Sequence, residues 1–376
     1  MLLFAICDSN ARARSRLRNL IELIPDAQCA EYESLASLEH SGKTVAHTFV
    51  IATIENEQEC ELIRVMKEGA PLTRWVGVLN YHNPKLAQQA VLMGCGLIVV
   101  KPVDQDTLGI IAYWFSNGPA GGLNPSGVAQ GEGHIIGVWS PLGGVGKTSI
   151  ALNLAAGIAD GARTPVCLTE ASSGPSGLAR WIGQHSFVSM ADLADIDSPL
   201  TLDRLRHLVL RTNYNVGVLT ASSALKPLLV AESTWVSRAC ERLRECPLIT
   251  VVDIPSGWNE SVARTLQECS AIVLIGPQDK AAIEEMAAAW NGVKTMLPTT
   301  PTIHLVLNGL MAESRWNESA LRTRFAADTM TVFPRDPKLL ETMAELHRPL
   351  LKHDKKSRWR NARDQLAEYV QLDLVS

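Results

Sequence analysis

No run of about 18 apolar residues occurs in the chain, so no transmembrane helix is expected. The opening apolar run, Met1–Ile6, is too short for the apolar region of a signal peptide, and Asp8 ends it. A surplus of positive charge is also missing. The net charge is −4, which argues against general nucleic-acid binding and leaves no nucleic-acid partner expected. Basic residues gather only near the end, at Lys352, Lys355, Lys356, Arg358, Arg360 and Arg363. None of the eight cysteines forms a Cys-x-x-Cys pair, and none combines with histidine at zinc-finger spacing. Most sit in or beside apolar runs, so they read as buried, reduced thiols in a cytoplasmic protein. Hydrophobic residues, in contrast, make up 46% of 376 positions, enough for the cores of two or three domains and too many for a disordered chain.

Short apolar segments alternate with helical patterns through residues 1–117. Candidate strands are Leu2–Cys7, Gln28–Tyr32, Thr48–Thr53, Trp75–Asn80 and Leu97–Val100. Ala11–Ile24 and Gln58–Glu68 carry helical spacing, and a helix over Asp104–Phe115 closes the unit. Such alternation predicts a parallel sheet covered on both faces. Ser116–Gly133 is rich in Gly, Pro and Ser, so residues 118–133 read as a flexible linker. The alternation restarts at His134, with strands expected at Ile135–Trp139, Pro165–Thr169, Val216–Thr220, Leu248–Asp253, Ala271–Ile275 and Thr302–Leu307. The expected fold class is therefore α/β, with two doubly wound three-layer domains at 1–117 and 134–352 and a basic amphipathic helix within 353–376.

The strongest chemical signal lies at the first of the later strands. An apolar run leads into Gly143-Gly144-Val145-Gly146-Lys147-Thr148, and a helix follows directly through Ser149. Glycines let main-chain N–H groups converge on phosphate oxygens, and the helix start adds its positive dipole end. Lys147 would neutralise the β and γ phosphates of ATP, and the Thr148 hydroxyl would ligate Mg²⁺. Pro141 stands where the strict pattern has glycine. A second signal, LITVVDIPSG, puts Asp253 at a strand's carboxyl end, where it could hold the magnesium through water.

In order, these motifs resemble the MinD/ParA family of deviant P-loop ATPases. PLGGVGKTS is similar to that family's phosphate loop, and VVDIPSG to its Walker B segment. HLVLNGL resembles the strand ending in an adenine-reading asparagine, which implies Asn308. TVFPRDPKLLETMAELHRPLL resembles a late segment of the same family. The first half resembles a response-regulator receiver, with Lys101-Pro102 and Asp8 in place. Thr53 stands at the phospho-acceptor position and Asn80 where Ser or Thr is usual, which implies a pseudo-receiver used for docking or dimerisation. The pairing of the two domains is similar to the TadZ/CpaE family of Tad (Flp) pilus assembly. That resemblance implies a homodimer that binds ATP and Mg²⁺, contacts pilus or secretion assembly proteins, and localises in the cytoplasm, at a pole or on the membrane surface.

The chain also departs from the pattern. The family's signature lysine falls at Leu142, which neither donates a hydrogen bond nor carries charge. The acids expected after the second strand fall at Glu170 and Ser172, and a serine is no general base at neutral pH. Loss of a trans cation of the arginine-finger type costs on the order of 10³-fold in rate, so weak or absent hydrolysis is expected. The alternative is an active positioning or partitioning ATPase in which Lys280 or Arg335 supplies the cation. The last helix puts Trp359, Ala362, Leu366 and Val370 on one face. It reads either as packed on the ATPase core or as a peripheral membrane helix.

Overall fold

Runs of apolar residues between polar turns become the central strands of two parallel sheets. The computed structural model describes residues 2–22, 27–44, 47–70, 73–81, 83–103, 132–161, 164–172, 176–184, 186, 188–194, 196, 200–221, 234–277, 279–297, 301–310 and 318–375. The chain divides into two compact units, Met1–Ala120 and Gly121–Ser376. The helix expected over Asp104–Phe115, and all but the last two residues of the expected linker 118–133, lie outside the described residues.

In the first unit, β1 (Leu2–Cys7), β2 (Ala27–Tyr32), β3 (Phe49–Ile54), β4 (Arg74–Leu79) and β5 (Leu97–Val100) form one sheet in the order β2-β1-β3-β4-β5. Every neighbouring pair is parallel. This is the flavodoxin-like order, in which the strand succession reverses beside β1. Asparagine starts three of the helices. The Asn10 side chain accepts from Arg12 N and Ala13 N, Asn56 from Glu59 N, and Asn83 from Leu86 N. Each cap satisfies N–H groups that the helix cannot. Alternate residues of β1, β3 and β4 (Phe4, Ile6, Phe49, Ile51, Val76 and Val78) are buried together with Leu17 and Ile21 of helix Ala11–Ile21.

The second unit holds eight strands: β6 (His134–Trp139), β7 (Val166–Glu170), β8 (Leu210–Arg211), β9 (Val216–Leu219), β10 (Ile249–Asp253), β11 (Ala271–Gly276), β12 (Thr302–Leu310) and β13 (Thr329–Pro334). Their order is β13-β12-β11-β6-β10-β7-β9-β8, parallel except for the β8–β9 pair. The two doubly wound α/β units agree with the expected fold class. β8 and β13 were not expected as strands. β8 has two residues, and the edge strand β13 buries only Met330, Thr331 and Phe333 of its six, so neither shows a continuous apolar run.

Pleating sends successive side chains of β6 to opposite faces. Ile136 and Val138 pack on helix Lys147–Gly161. Trp139, on the other face, lies 6.4 Å from the ring of Trp290 in helix Lys280–Lys294. Helix Lys147–Gly161 is buried on nearly every side, because helix Arg358–Val375 covers the face turned away from the sheet. Gly157 permits this close approach, since a Cβ there would sit 3.1 Å from the Ala367 methyl.

The terminal helix therefore departs from the membrane reading of residues 353–376. Trp359, Leu366, Ala367 and Val370 are buried in the core, and the Trp359 ring meets Phe333 edge-on at 4.6 Å. Arg363, one of the basic residues that could have faced lipid headgroups, is 1% exposed. It donates to Leu350 O and lies 3.0 Å from Asp160 Oδ2. Near the helix end, Asp373 Oδ2 lies 3.0 Å from Nε2 of the buried His304. The apolar stripe is thus occupied by the protein itself. Replacing Trp359 by Ala is expected to destabilise the second unit by about 3–5 kcal/mol in urea unfolding, as for other fully buried aromatics. A helix that waited on the surface for a membrane would give a change near zero.

Candidate functional site

Sequence places Lys147 and Asp253 far apart, and the sheet brings them together. Strands β6 and β10 are parallel neighbours with Asp253 paired to Val138, so both carboxyl ends open on the same edge. The phosphate loop leaves β6 there. Gly144 and Gly146 adopt φ of +72° and +90°, which side chains disfavour. At Gly144 a Cβ would meet nothing within 4 Å, so the main chain lies open to a ligand. At Gly146 a Cβ would lie 2.3 Å from Asn308 Nδ2, so only glycine fits.

The loop is braced from several elements. Asn308 Nδ2 donates to Val145 O at 2.8 Å, and Ser149 Oγ donates to Gly146 O at 2.8 Å. Asn308, expected to read adenine, also braces the phosphate loop, where its amide nitrogen fixes the Val145 carbonyl. Pro141, the departure from the glycine pattern, accepts from Gly257 N at 3.1 Å through its carbonyl. The loop's helix is held from behind as well. Asn153 Nδ2 donates to Ser149 O at 2.8 Å, and Asn153 Oδ1 accepts from Leu350 N at 2.9 Å. The late HRPLL segment thus buttresses the start of the phosphate-loop helix.

The Thr148 hydroxyl donates to Asp253 Oδ2 at 2.6 Å. Burial pushes the Asp253 carboxyl up to about 7; the Thr148 hydrogen bond and Lys147 oppose the rise, and the Glu170 charge adds to it. Burial also pushes the Lys147 ammonium below its ordinary range, against the attraction of Asp253. Burial thus disfavours the charge on both groups. A triphosphate and a hard cation would supply the missing counter-charges, with Thr148 available as an oxygen ligand and Asp253 beyond it. The open glycine main chain, the ammonium and the hydroxyl–carboxylate pair fit a magnesium nucleotide.

The catalytic candidates are placed otherwise. Glu170 ends β7 in register with Asp253, but its carboxylate is saturated. Oε1 accepts from the Ser176 hydroxyl and from Ala221 N at 2.9 Å, and Oε2 accepts from Gly177 N at 2.8 Å and Leu178 N at 3.3 Å. Glu170 therefore anchors the start of helix Gly177–Ile182 and leaves no lone pair suited to a water nucleophile. Ser172 is partly buried just beyond β7. Leu142 sits at the tip of the phosphate loop, with its N–H donating to Ser140 Oγ at 3.2 Å. Lys280 and Arg335 are both exposed. Ser256 was not singled out from the sequence. Its hydroxyl accepts from Lys147 Nζ and donates to Leu142 O at 3.2 Å. A polar residue three positions past the strand-end acid was the available signal.

The first unit carries a second cluster of polar groups at its own strand ends. Asp8, at the end of β1, is 2% exposed. Asp8 Oδ2 accepts from the Thr53 hydroxyl at 2.5 Å and lies 2.7 Å from Lys101 Nζ, while Oδ1 accepts from Asn10 N at 2.7 Å. Burial alone would raise this carboxyl, but Lys101, Thr53 and Asn10 together hold it below its ordinary 3.8. Lys101 is thus a buried-acid partner and not a plain surface lysine. Asn80 donates to Glu55 Oε1 at 3.0 Å, away from Asp8.

No family model matches the chain, and no curated protein matches it. Solved structures do. The cell division ATPase MinD of Pyrococcus furiosus aligns at 20% identity and a TM-score of 0.54, covering 64% of this chain and 98% of that one. The septum site-determining protein MinD of Pyrococcus horikoshii, complexed with Mg-ADP, aligns at 20% identity and 0.53, covering 63% and 96%. A ParA family ATPase from Chlorobium tepidum aligns at 16% identity and 0.55, covering 64% and 99%. At this identity the likeness establishes a MinD/ParA-type fold for the C-terminal part.

The Asp8 cluster yields a pH-dependent expectation. Asp8 is held below its unfolded value, so its contribution is complete above about pH 4 and is lost as pH falls through the folded value. Replacing Lys101 by Met strands a buried carboxylate and is expected to cost about 3 kcal/mol at neutral pH. The gap to wild type should narrow as pH drops below about 5 and the stranded acid protonates. Hydrogen exchange of the β1 and β3 amides across pH measures it.

Proposed function

We propose that the chain binds ATP with Mg²⁺ at the Gly143–Thr148 loop and uses it to set its assembly state, with slow or no hydrolysis. The contact that carries this reading is the 2.6 Å hydrogen bond from Thr148 to Asp253, below an open glycine main chain and beside Lys147. Thr148 would supply an oxygen ligand to the cation, and Asp253 would hold it through water. Gly143, Gly144, Val145, Gly146 and Ser149 supply main-chain N–H groups, and Lys147 supplies charge. Asn308 shapes the loop from the side.

Turnover requires a positioned water and a cation for the transferred phosphoryl group. Leu142 offers no charge, and the Glu170 carboxylate is filled by four donors from the protein. Binding without efficient turnover makes the nucleotide a conformational ligand, acting by differential affinity for one state. The resemblance of the motifs to the MinD/ParA family implies a dimer as that state. The unit order, in which a flavodoxin-like unit without an aspartate at position 53 precedes the P-loop unit, resembles TadZ/CpaE, and that resemblance supports a scaffold role in Tad-type pilus assembly.

Nucleotide titration followed by size-exclusion light scattering tests the reading. Wild type is expected to bind MgATP and shift toward a dimer. Lys147→Ala is expected to lose about 10²-fold or more in affinity, in line with removal of a buried phosphate-paired charge. Turnover is expected below about one per second, at the bottom of the usual enzyme range. Failure of wild type to bind MgATP overturns the proposal. Turnover well above that rate favours the active positioning or partitioning ATPase.

A further inference from the structure

The stretch after β10 is tied to the phosphate loop at two points. Gly257 N donates to Pro141 O at 3.1 Å, and the Ser256 hydroxyl donates to Leu142 O at 3.2 Å. The same hydroxyl accepts from the Lys147 ammonium. Charge alone would favour a different partner. Asp253 is close enough to act electrostatically on Lys147, yet among the described residues the ammonium bonds to a neutral hydroxyl and not to the carboxylate. Asp253 is left to Thr148.

We infer that Ser256 is a positioning residue that aims the Lys147 ammonium at the phosphate nest and keeps it off the metal-side carboxylate. The inference rests on the ATP reading above and adds a residue to it. An ammonium has three donors, so one bond to Ser256 leaves two for phosphate oxygens. A lysine side chain carries about 2 kcal/mol of rotamer entropy. Fixing part of it before binding removes that ordering cost from the binding step. Ser256 does this without blocking the nest, since a Cβ at Gly143 would still stand 3.9 Å from Ser256 Oγ. The hydroxyl is anchored in turn by its bond to Leu142 O, so its acceptor lone pairs face the lysine. A side chain with no hydroxyl would free Lys147 to swing toward Asp253 and cancel the charge that the cation needs.

Isothermal titration of MgATP into the full-length chain tests this, with Ser256→Ala, Ser256→Thr, Lys147→Met and the Ser256→Ala/Lys147→Met double variant. Ser256→Ala is expected to weaken MgATP binding about tenfold, the scale of one lost hydrogen bond to a charged group. Ser256→Thr, which keeps the hydroxyl, should stay within about twofold of wild type. In the Lys147→Met background the Ser256→Ala change should cost nothing more, because there is no ammonium left to aim. Equal losses in both backgrounds would show that Ser256 acts through the loop alone and overturn the inference. So would a Ser256→Ala protein that binds as tightly as wild type. Either result leaves the ATP reading intact, whereas a wild-type chain that binds no MgATP overturns that reading before any Ser256 variant is compared.

Discussion

The hydroxyl of Thr148 and the carboxylate of Asp253, 105 residues apart, meet at 2.6 Å, and the second unit is arranged so that they do. The meeting needs β6 and β10 to be parallel neighbours in one register, which needs the chain to cross over twice and return on the same edge. It also needs the helix at Lys147 to start where the loop after Trp139 brings it back over the strand end. Gly144 and Gly146 allow that turn, and Asn308 and Ser149 hold it. The helix must then stay in place. The sheet covers one side of it and helix Arg358–Val375 the other, with Asn153 clasped to Leu350 between. The C-terminal helix therefore serves the site at a distance, by fixing the element that carries Thr148.

The acids near the edge divide into one that is satisfied and one that is not. Glu170 and Asp253 are paired across β7 and β10, so their charges repel. Glu170 escapes the cost through four donors, two of them N–H groups at the start of helix Gly177–Ile182. Asp253 has one hydroxyl and a nearby ammonium, and burial lifts it to about 7. A buried carboxylate short of partners either takes up a proton or attracts a cation. The difference explains why two acids at matching positions have separate uses, one structural and one open to a ligand.

Elements formed by continuous apolar runs were legible in the sequence, and so was the phosphate loop, because its chemistry is local. The six strands expected in the second unit all formed, as did the five in the first. The edge strands β8 and β13 escaped notice, one for its two-residue length and the other because only Met330, Thr331 and Phe333 are buried. The contacts that define the site's behaviour were not legible, because each joins distant segments. Glu170 reads as the first acid of the family's pair, and its role shows only when Ser176, Gly177, Leu178 and Ala221 converge on it. Asn308 reads as a base contact, and nothing in the sequence shows that its amide also reaches Val145. The terminal helix showed the correct apolar face, but spacing cannot say what covers a face. The seam that decided it is Gly157 against Ala367.

The two units share one plan and put opposite electrostatics at the same place. In each, an acid at a strand's carboxyl end meets a threonine hydroxyl with a lysine nearby. In the first unit the lysine reaches the acid directly, at 2.7 Å, and Asp8 is held below its ordinary range. All its demands are met from within, so that edge has little left to offer a cation or a phosphoryl group. In the second unit Ser256 holds the lysine and the acid stays raised. The unmet demand lies where the glycine main chain is open. Ligand binding at a strand edge follows from such a deficit, and of the two described edges it is the one built around Asp253 that carries it.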